Sequence, residues 1–99
     1  MKKEIIIVKN IVAGTSTNAE GLSLFIAMDK VIAKGNIIVL SLNGCTPMSS
    51  SFLNSSIGAL IEKHGFKSMK GQLILKNYTQ VMADNIKHYL GRLKQLVHE

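Results

Sequence analysis

The sequence predicts a small α/β domain, a β-α-β-α-β-α sandwich in which a mostly parallel sheet packs against helices. Three apolar runs, at 3–12, 36–42 and 71–76, indicate strands, and each is followed by a segment with helical periodicity. Strands that alternate with helices pair in parallel through right-handed crossovers. With 99 residues, of which 46% are hydrophobic, the chain is expected to form a single domain over residues 1–99.

The first strand and helix carry clear local signals. Residues 3–12 are almost continuously apolar, which is typical of a strand covered on both faces. Thr17 and Glu20 form a capping box that begins a helix, and Gly35 suits the left-handed position after its end. The apolar stripe of this helix is predicted to comprise Leu22, Phe25, Ile26 and Ile32.

The second half of the chain repeats this alternation. The strand at 36–42 leads into a loop that contains Pro47, and a helix is predicted over 50–64, ending at Gly65. A third strand at 71–76 precedes capping residues at 77–79 and a last helix that runs to about 97. The buried stripe of the last helix is predicted to be Met82, Ile86, Tyr89, Leu93 and Leu96.

The chain carries none of the common catalytic signatures. It has no glycine-rich phosphate loop, and its histidines at 64, 88 and 98 lie too far apart for a local metal motif. The single cysteine, Cys45, is interpreted as a small buried hydrophobic residue, with a nucleophile as the alternative. We therefore predict a protein that is not an enzyme, with no catalytic residue, metal or cofactor.

Composition also bears on location and on partners. A lone cysteine suits a reducing compartment, and no segment approaches the ~20 apolar residues of a membrane span, so a cytoplasmic protein without membrane contact is expected. The net charge is +6, and the basic residues concentrate in the last third. Nucleic-acid binding is therefore an alternative function, opposed by few aromatic residues and one arginine. Its candidate residues are Lys67, Lys70, Lys87, Arg92 and Lys94.

A serine-rich segment at 47–58 follows the second strand, at the edge of a parallel sheet where ligands and partners usually meet the fold. Ser49 or Ser50 is suited to cap the helix, and the small residues after Asn54 allow a neighbouring element to pack closely. The alternative is a phosphorylation switch, because a phosphoryl group at a helix start adds nearly two negative charges there.

The strand at 36–44 and the segment Met48-Ser49-Ser50-Ser51-Phe52-Leu53 resemble the STAS domains of bacterial anti-sigma-factor antagonists. Those domains open a helix with Asp-Ser-Ser/Thr-Gly-Leu, and a partner kinase of the GHKL ATPase fold phosphorylates a serine of that motif. The resemblance implies that Ser50 is the phosphoacceptor. Ser49 and Phe52 replace the Asp and Gly of the motif, and the extra N-terminal strand is missing, which is closer to divergent STAS-like domains of unknown function.

These observations predict a regulatory module that binds a protein partner through the loop and helix at 46–56. The resemblance implies a histidine-kinase-like (GHKL) ATPase as that partner, and a homodimer is a further alternative. The residues predicted to contact the partner are Met48, Ser49, Ser50, Ser51 and Asn54.

Overall fold

A computed structural model describes residues 1–97, with side chains described up to residue 93. In chain order, the helices and strands are β1 (Lys3–Ile7), α1 (Val8–Ile11), α2 (Asn18–Ala33), β2 (Ile37–Ser41), α3 (Ser50–Ser55), α4 (Ile57–His64), α5 (Phe66–Gln72), β3 (Leu73–Lys76) and α6 (Gln80–Val97). None of the helices described is long and apolar enough to cross a membrane.

The three strands form one parallel sheet in the order β1-β2-β3, which confirms the predicted fold class. Val39 in the middle strand lies opposite Ile5 on one side and Ile74 on the other. Because both crossovers move in the same direction along the sheet and parallel crossovers are right-handed, the connecting helices lie on one face. Ile38 and Leu40 point towards these helices and are fully buried in the core.

The first strand is shorter and less covered than predicted. It ends at Ile7, and the single turn of α1 follows. Val8 and Val12 are both buried and lie four residues apart, which is the spacing of one helix face. The end of the apolar run therefore belongs to a helix rather than to the strand. Ile5 is 71% exposed, and the prediction that both faces of this strand are covered is therefore wrong.

Helix α2 begins as predicted but turns a different face inward. The Thr17–Glu20 capping box is present, and Gly35 has a φ of 77° after the helix end. The buried residues are instead Gly21, Leu24, Met28, Val31 and Ile32. Leu22 is 53% exposed and Ile26 is 48% exposed, so only Ile32 of the predicted stripe is buried.

The predicted helix over 50–64 is two helices, because the backbone breaks at Ser56 (φ −111°, ψ −93°). The buried Ser56 hydroxyl donates to the Phe52 carbonyl at 2.7 Å, which satisfies it inside the core. Gly65 ends the second of these helices with a φ of 89°, as expected. Helix α5 was not predicted, because few of its residues are apolar: Phe66 and Met69 alone are buried.

Helix α6 follows the prediction within the described part of the chain. The Thr79 hydroxyl accepts from the Met82 amide at 3.2 Å and so caps the helix. Met82, Ile86 and Tyr89 are buried, and Leu93 packs half-buried against the core. The prediction for Leu96, like those for Lys94 and His98, lies outside the described side chains.

Candidate functional site

Ser49 joins the loop after β2 to the loop before α2. Its amide donates to the Thr15 carbonyl at 3.0 Å, and its hydroxyl donates to the Ser16 carbonyl at 2.8 Å. The same hydroxyl accepts from the Phe52 amide at 3.1 Å, so Ser49 caps α3. Ser49 is half-buried, and its hydroxyl both donates and accepts a hydrogen bond at the start of α3.

A second contact joins the same two loops. The Thr15 side chain is 5% exposed, and its hydroxyl lies 3.2 Å from the hydroxyl and 3.4 Å from the carbonyl oxygen of Thr46. These loops follow neighbouring parallel strands, so they meet at the edge of the sheet formed by the carboxyl ends of the strands. The serine-rich loop therefore lies at the carboxyl edge of the sheet, where the sequence analysis expected it.

Met48 lies inside the protein, and the prediction that its side chain is exposed is wrong. Its side chain is 4% exposed. The Asn85 side chain of α6 binds both sides of the Met48 backbone: its Oδ1 accepts from the Met48 amide at 2.9 Å, and its Nδ2 donates to the Met48 carbonyl at 3.2 Å. This paired contact turns the Met48 side chain inward and ties the loop to the last helix.

Ser50 and Ser51 are exposed at the start of α3, and neither hydroxyl makes a hydrogen bond to any described residue. Asn54, one turn further on, is also exposed. We call these three residues the α3 surface. The structure thus brings together three of the five residues predicted to contact a partner. The other two, Ser49 and Met48, hold the start of α3 in place through their hydrogen bonds.

Asn54 sits on the side of α3 that faces α6. Its Oδ1 accepts from the Tyr89 hydroxyl at 2.8 Å, and burial raises the pKa of that phenol. The hydroxyl lies directly over Gly58, where a Cβ would collide with it. Gly58 is therefore small because it makes room for Tyr89, which supports the packing interpretation of the small residues after Asn54.

The other side of α3 packs closely on α2. A Cβ at Gly21 would lie 2.6 Å from the Phe52 carbonyl oxygen and 2.7 Å from the Ser55 Cβ. The Ser55 hydroxyl lies 2.8 Å from Asn18 Oδ1 and 2.7 Å from the Ser51 carbonyl oxygen. The glycine and the serine allow two backbones to approach each other, and the exposed Ser51 therefore lies beside the first turn of α2.

Two exposed apolar residues extend this side of the surface. Leu22 follows Asn18 by four residues and Ile26 follows by eight, so both lie along the helix face that begins beside Ser55. Both were predicted from the sequence to lie in the core, and that prediction is wrong. Gly21 is the sequence signal for the opposite assignment, in which Leu22 and Ile26 are exposed. A glycine inside a helix often marks a close backbone contact, and that contact fixes which face of the helix is buried.

Cys45 lies in the loop after β2 and is half-buried. Burial raises the pKa of its thiol, against a smaller opposing effect of the Lys9 charge. A raised pKa reduces the thiolate fraction at neutral pH, and the thiolate is the nucleophilic form. Among the described residues, no group of three or more His, Cys, Asp or Glu side chains is placed to hold a metal ion.

Asp29 takes part in an ion-pair cluster away from the α3 surface. Its two oxygens lie 2.8 Å from Lys63 Nζ and 2.8 Å from His64 Nε2. Hydrogen bonds from Lys63 and then from His64 lower the pKa of this carboxyl below its ordinary value. The contacts form because the last turn of α4 lies against α2.

The basic residues considered for nucleic-acid binding are distributed over two helices. Lys67 and Lys70 are exposed on α5, and Lys87 and Arg92 are exposed on α6. Lys70 and Lys87 line the same pocket, as described below. Phe66, the aromatic residue of α5, is buried, so no exposed aromatic ring accompanies these charges on α5.

A parallel three-strand sheet with helices on one face, and a hydroxyl-rich helix start after the second strand, define a small α/β domain of the STAS-like class. Residues 20–81 match the family described as STAS-like domain of unknown function (DUF4325), and the chain belongs to this family. The matched segment contains the α3 surface and the residues that hold it, except Thr15, Ser16, Asn85 and Tyr89. No curated protein and no solved structure matches the chain.

Proposed function

We propose that this chain is a non-enzymatic regulatory module that binds a protein partner through its α3 surface, with Ser50 as the phosphoacceptor. The partner proposed is an ATPase or kinase of the GHKL fold. The family supports a regulatory role in general terms. The partner and the phosphoryl transfer are proposals that rest on the geometry of the α3 surface and on the resemblance of its motif.

One observation carries the proposal: two exposed hydroxyls that bond to no described residue stand on a backbone that is held from both sides. Ser49 fixes the start of α3 to the preceding loop, and Asn85 fixes Met48 to the last helix. A protein gains binding affinity when its contact surface is ordered in advance, because less conformational entropy is lost on binding. The α3 surface is therefore ordered before a partner binds, and its two exposed hydroxyls are available to that partner because the fold does not use them.

The same geometry leaves Ser50 and Ser51 open to modification, and the resemblance of the motif selects Ser50. Its hydroxyl supports no described contact, so a phosphoryl group on it breaks no described hydrogen bond and adds charge directly to the contact surface. Ser49, by contrast, caps the helix through its hydroxyl, and Ser56 is fully buried. Ser51 is the second exposed candidate and provides the comparison.

The test combines intact-mass analysis with a binding measurement. Purified chain is incubated with ATP and a GHKL-type ATPase of the source organism. We expect one phosphoryl adduct on the parent and on Ser51→Ala, and none on Ser50→Ala. In biolayer interferometry, Ser50→Asp is expected to weaken binding about tenfold or more, which corresponds to ~1.4 kcal/mol, whereas Ser50→Ala binds as the parent does.

Ser68→Asp is the matched control, because Ser68 is an exposed serine on α5, outside the α3 surface. It adds the same charge and is expected to leave binding unchanged. If Ser50→Ala and Ser50→Asp both bind as the parent does, Ser50 is not a switch. If the parent neither binds nor gains a phosphoryl group, the proposed partner class is wrong.

Two alternatives have their own measurements. Binding of nucleic acid through α6 would appear as a gel shift that weakens steeply with salt, because phosphate contacts release counterions. Self-association of two copies would appear as a doubled mass in light scattering. No described contact favours either over the α3 surface.

A further inference from the structure

A pocket of about 520 Å³ opens on the side of the molecule where α4, α5, β3 and α6 meet. Its floor reaches the core, because Ile57 and Ile61 of α4 and Met69 of α5 line it and are at most 4% exposed. A second cavity of about 300 Å³ adjoins it and shares Leu75, Lys87 and Leu90. The space is therefore deep, apolar and extended along β3.

The only charged side chains among the described residues that line the pocket are two lysines. Lys70 lies on α5 and Lys87 on α6, so they stand on different walls, and both are exposed. Neither forms an ion pair with a described residue. The rim is thus positive on both sides while the interior is apolar.

We propose that this pocket binds one linear amphiphilic anion, a fatty-acid carboxylate, with its chain on the apolar floor and its head group between Lys70 and Lys87. The volume lies within the roughly 300–1,000 Å³ typical of small-molecule sites. An inorganic anion would leave the floor unused, and a neutral hydrocarbon would leave the lysines unused. A fatty-acid anion matches both parts of the pocket.

The first experiment measures how affinity depends on chain length. Decanoate and dodecanoate, below the concentrations at which they form micelles, are titrated into the full chain and followed by ¹H–¹⁵N NMR. Burial of methylenes predicts a gain of about fifteenfold between the two, the fold-change that corresponds to ~0.8 kcal/mol per methylene. The shifted amides are expected to lie in α4, α5, β3 and α6.

The second experiment separates the head group from the chain. The double variant Lys70→Gln/Lys87→Gln is expected to bind dodecanoate about tenfold more weakly or worse, because it loses the charge-assisted contacts, while its affinity for dodecanol stays within about twofold. Lys67→Gln is the matched control, since Lys67 is exposed on the same helix and does not line the pocket.

Gly91 offers a way to fill the pocket without disturbing the fold. It lines the pocket, and a Cβ placed on it would meet no atom within 4 Å. Gly91→Leu narrows the pocket and is therefore expected to weaken binding of both dodecanoate and dodecanol about tenfold or more. Gly71→Leu is the control, because Gly71 has equal space around it on α5 but does not line the pocket.

Three results would overturn the proposal: no localised shifts with dodecanoate, equal affinity of decanoate and dodecanoate, or unchanged dodecanoate binding by Gly91→Leu. Vesicles of phosphatidylglycerol form a further arm, because a membrane surface also presents acyl chains with anionic head groups. Vesicle binding that persists in Gly91→Leu, without binding of free dodecanoate, would assign the lysines to a lipid surface and reject the pocket as the site.

Discussion

The contact between Asn85 and Met48 provides a quantitative test of how the α3 surface is held. The perturbation is Asn85→Ala, which removes hydrogen bonds of 2.9 and 3.2 Å to the Met48 amide and carbonyl. Both contacts are partly buried and join residues 37 positions apart in sequence. Because no other described residue bonds these two Met48 groups, the substitution leaves both without a protein partner.

The magnitude follows from three contributions. Each lost hydrogen bond costs about 1 kcal/mol net, and partial burial of the freed backbone groups adds roughly 1 kcal/mol for the pair. Alanine is a better helix former than asparagine by about 0.6 kcal/mol, which offsets part of the loss in the middle of α6. We expect the free energy of unfolding to fall by about 2–2.5 kcal/mol.

The assay is urea unfolding followed by far-ultraviolet circular dichroism, with Asp84→Ala as the control. Asp84 precedes Asn85 on α6, is exposed, and accepts one exposed hydrogen bond from Gln80 at 2.9 Å. Its substitution is expected to change stability by less than about 0.5 kcal/mol. In Asn85→Ala, hydrogen exchange of the Ser49 amide should also accelerate.

A fall of less than about 0.5 kcal/mol in Asn85→Ala, with unchanged exchange at Ser49, would refute the reasoning. Water would then replace the asparagine at no cost, and the loop would be held by Ser49 and Thr46 alone. If Asn85→Ala instead binds the partner more weakly although Ser50 is unchanged, the order of the loop contributes to recognition.

Two further predictions concern packing and pH. Gly21→Ala is expected to lower the free energy of unfolding by about 1–3 kcal/mol, because its Cβ would lie 2.6 Å from a backbone carbonyl oxygen of α3. Gly71→Ala is the control in the same urea assay. Because the space around Gly71 is open, this substitution should raise the free energy of unfolding by up to about 1 kcal/mol. Hydrogen bonds from Lys63 and His64 lower the pKa of the Asp29 carboxyl from 3.8, so its stabilising contribution is present above that pH and is lost as the pH falls through the lower folded value. The difference in stability between the parent and Asp29→Asn should therefore shrink on acidification towards pH ~2; a constant difference would contradict the assignment.

Local signals predicted most of the architecture. The strand at 36–42, the Thr17–Glu20 capping box and the left-handed glycine at 35 each act within a few residues, so the sequence alone specifies them. The parallel order of the strands follows from their alternation with helices. The location of the α3 surface at the carboxyl edge of the sheet was predictable for the same reason.

What the sequence did not predict depends on contacts between distant residues. The buried face of α2 is set by Gly21 meeting the Phe52 carbonyl, and nothing near Gly21 in sequence announces that partner. Met48 is turned inward by Asn85, 37 residues away. The predicted helix breaks at Ser56, where the backbone leaves the helical region (φ −111°, ψ −93°), and the neighbouring apolar residues do not reveal this break.

The serine-rich segment divides into residues that the fold uses and residues that it does not. Ser49 caps the helix and ties two loops together, while Ser55 and Ser56 bond the backbone one turn earlier, at a close helix contact and at a helix break. Capping and packing therefore account for these three hydroxyls. They do not account for Ser50 and Ser51, which face solvent without a bond to any described residue. An alanine at either position would serve the fold equally well. The Ser50 and Ser51 hydroxyls are therefore the ones to test for contact with a partner.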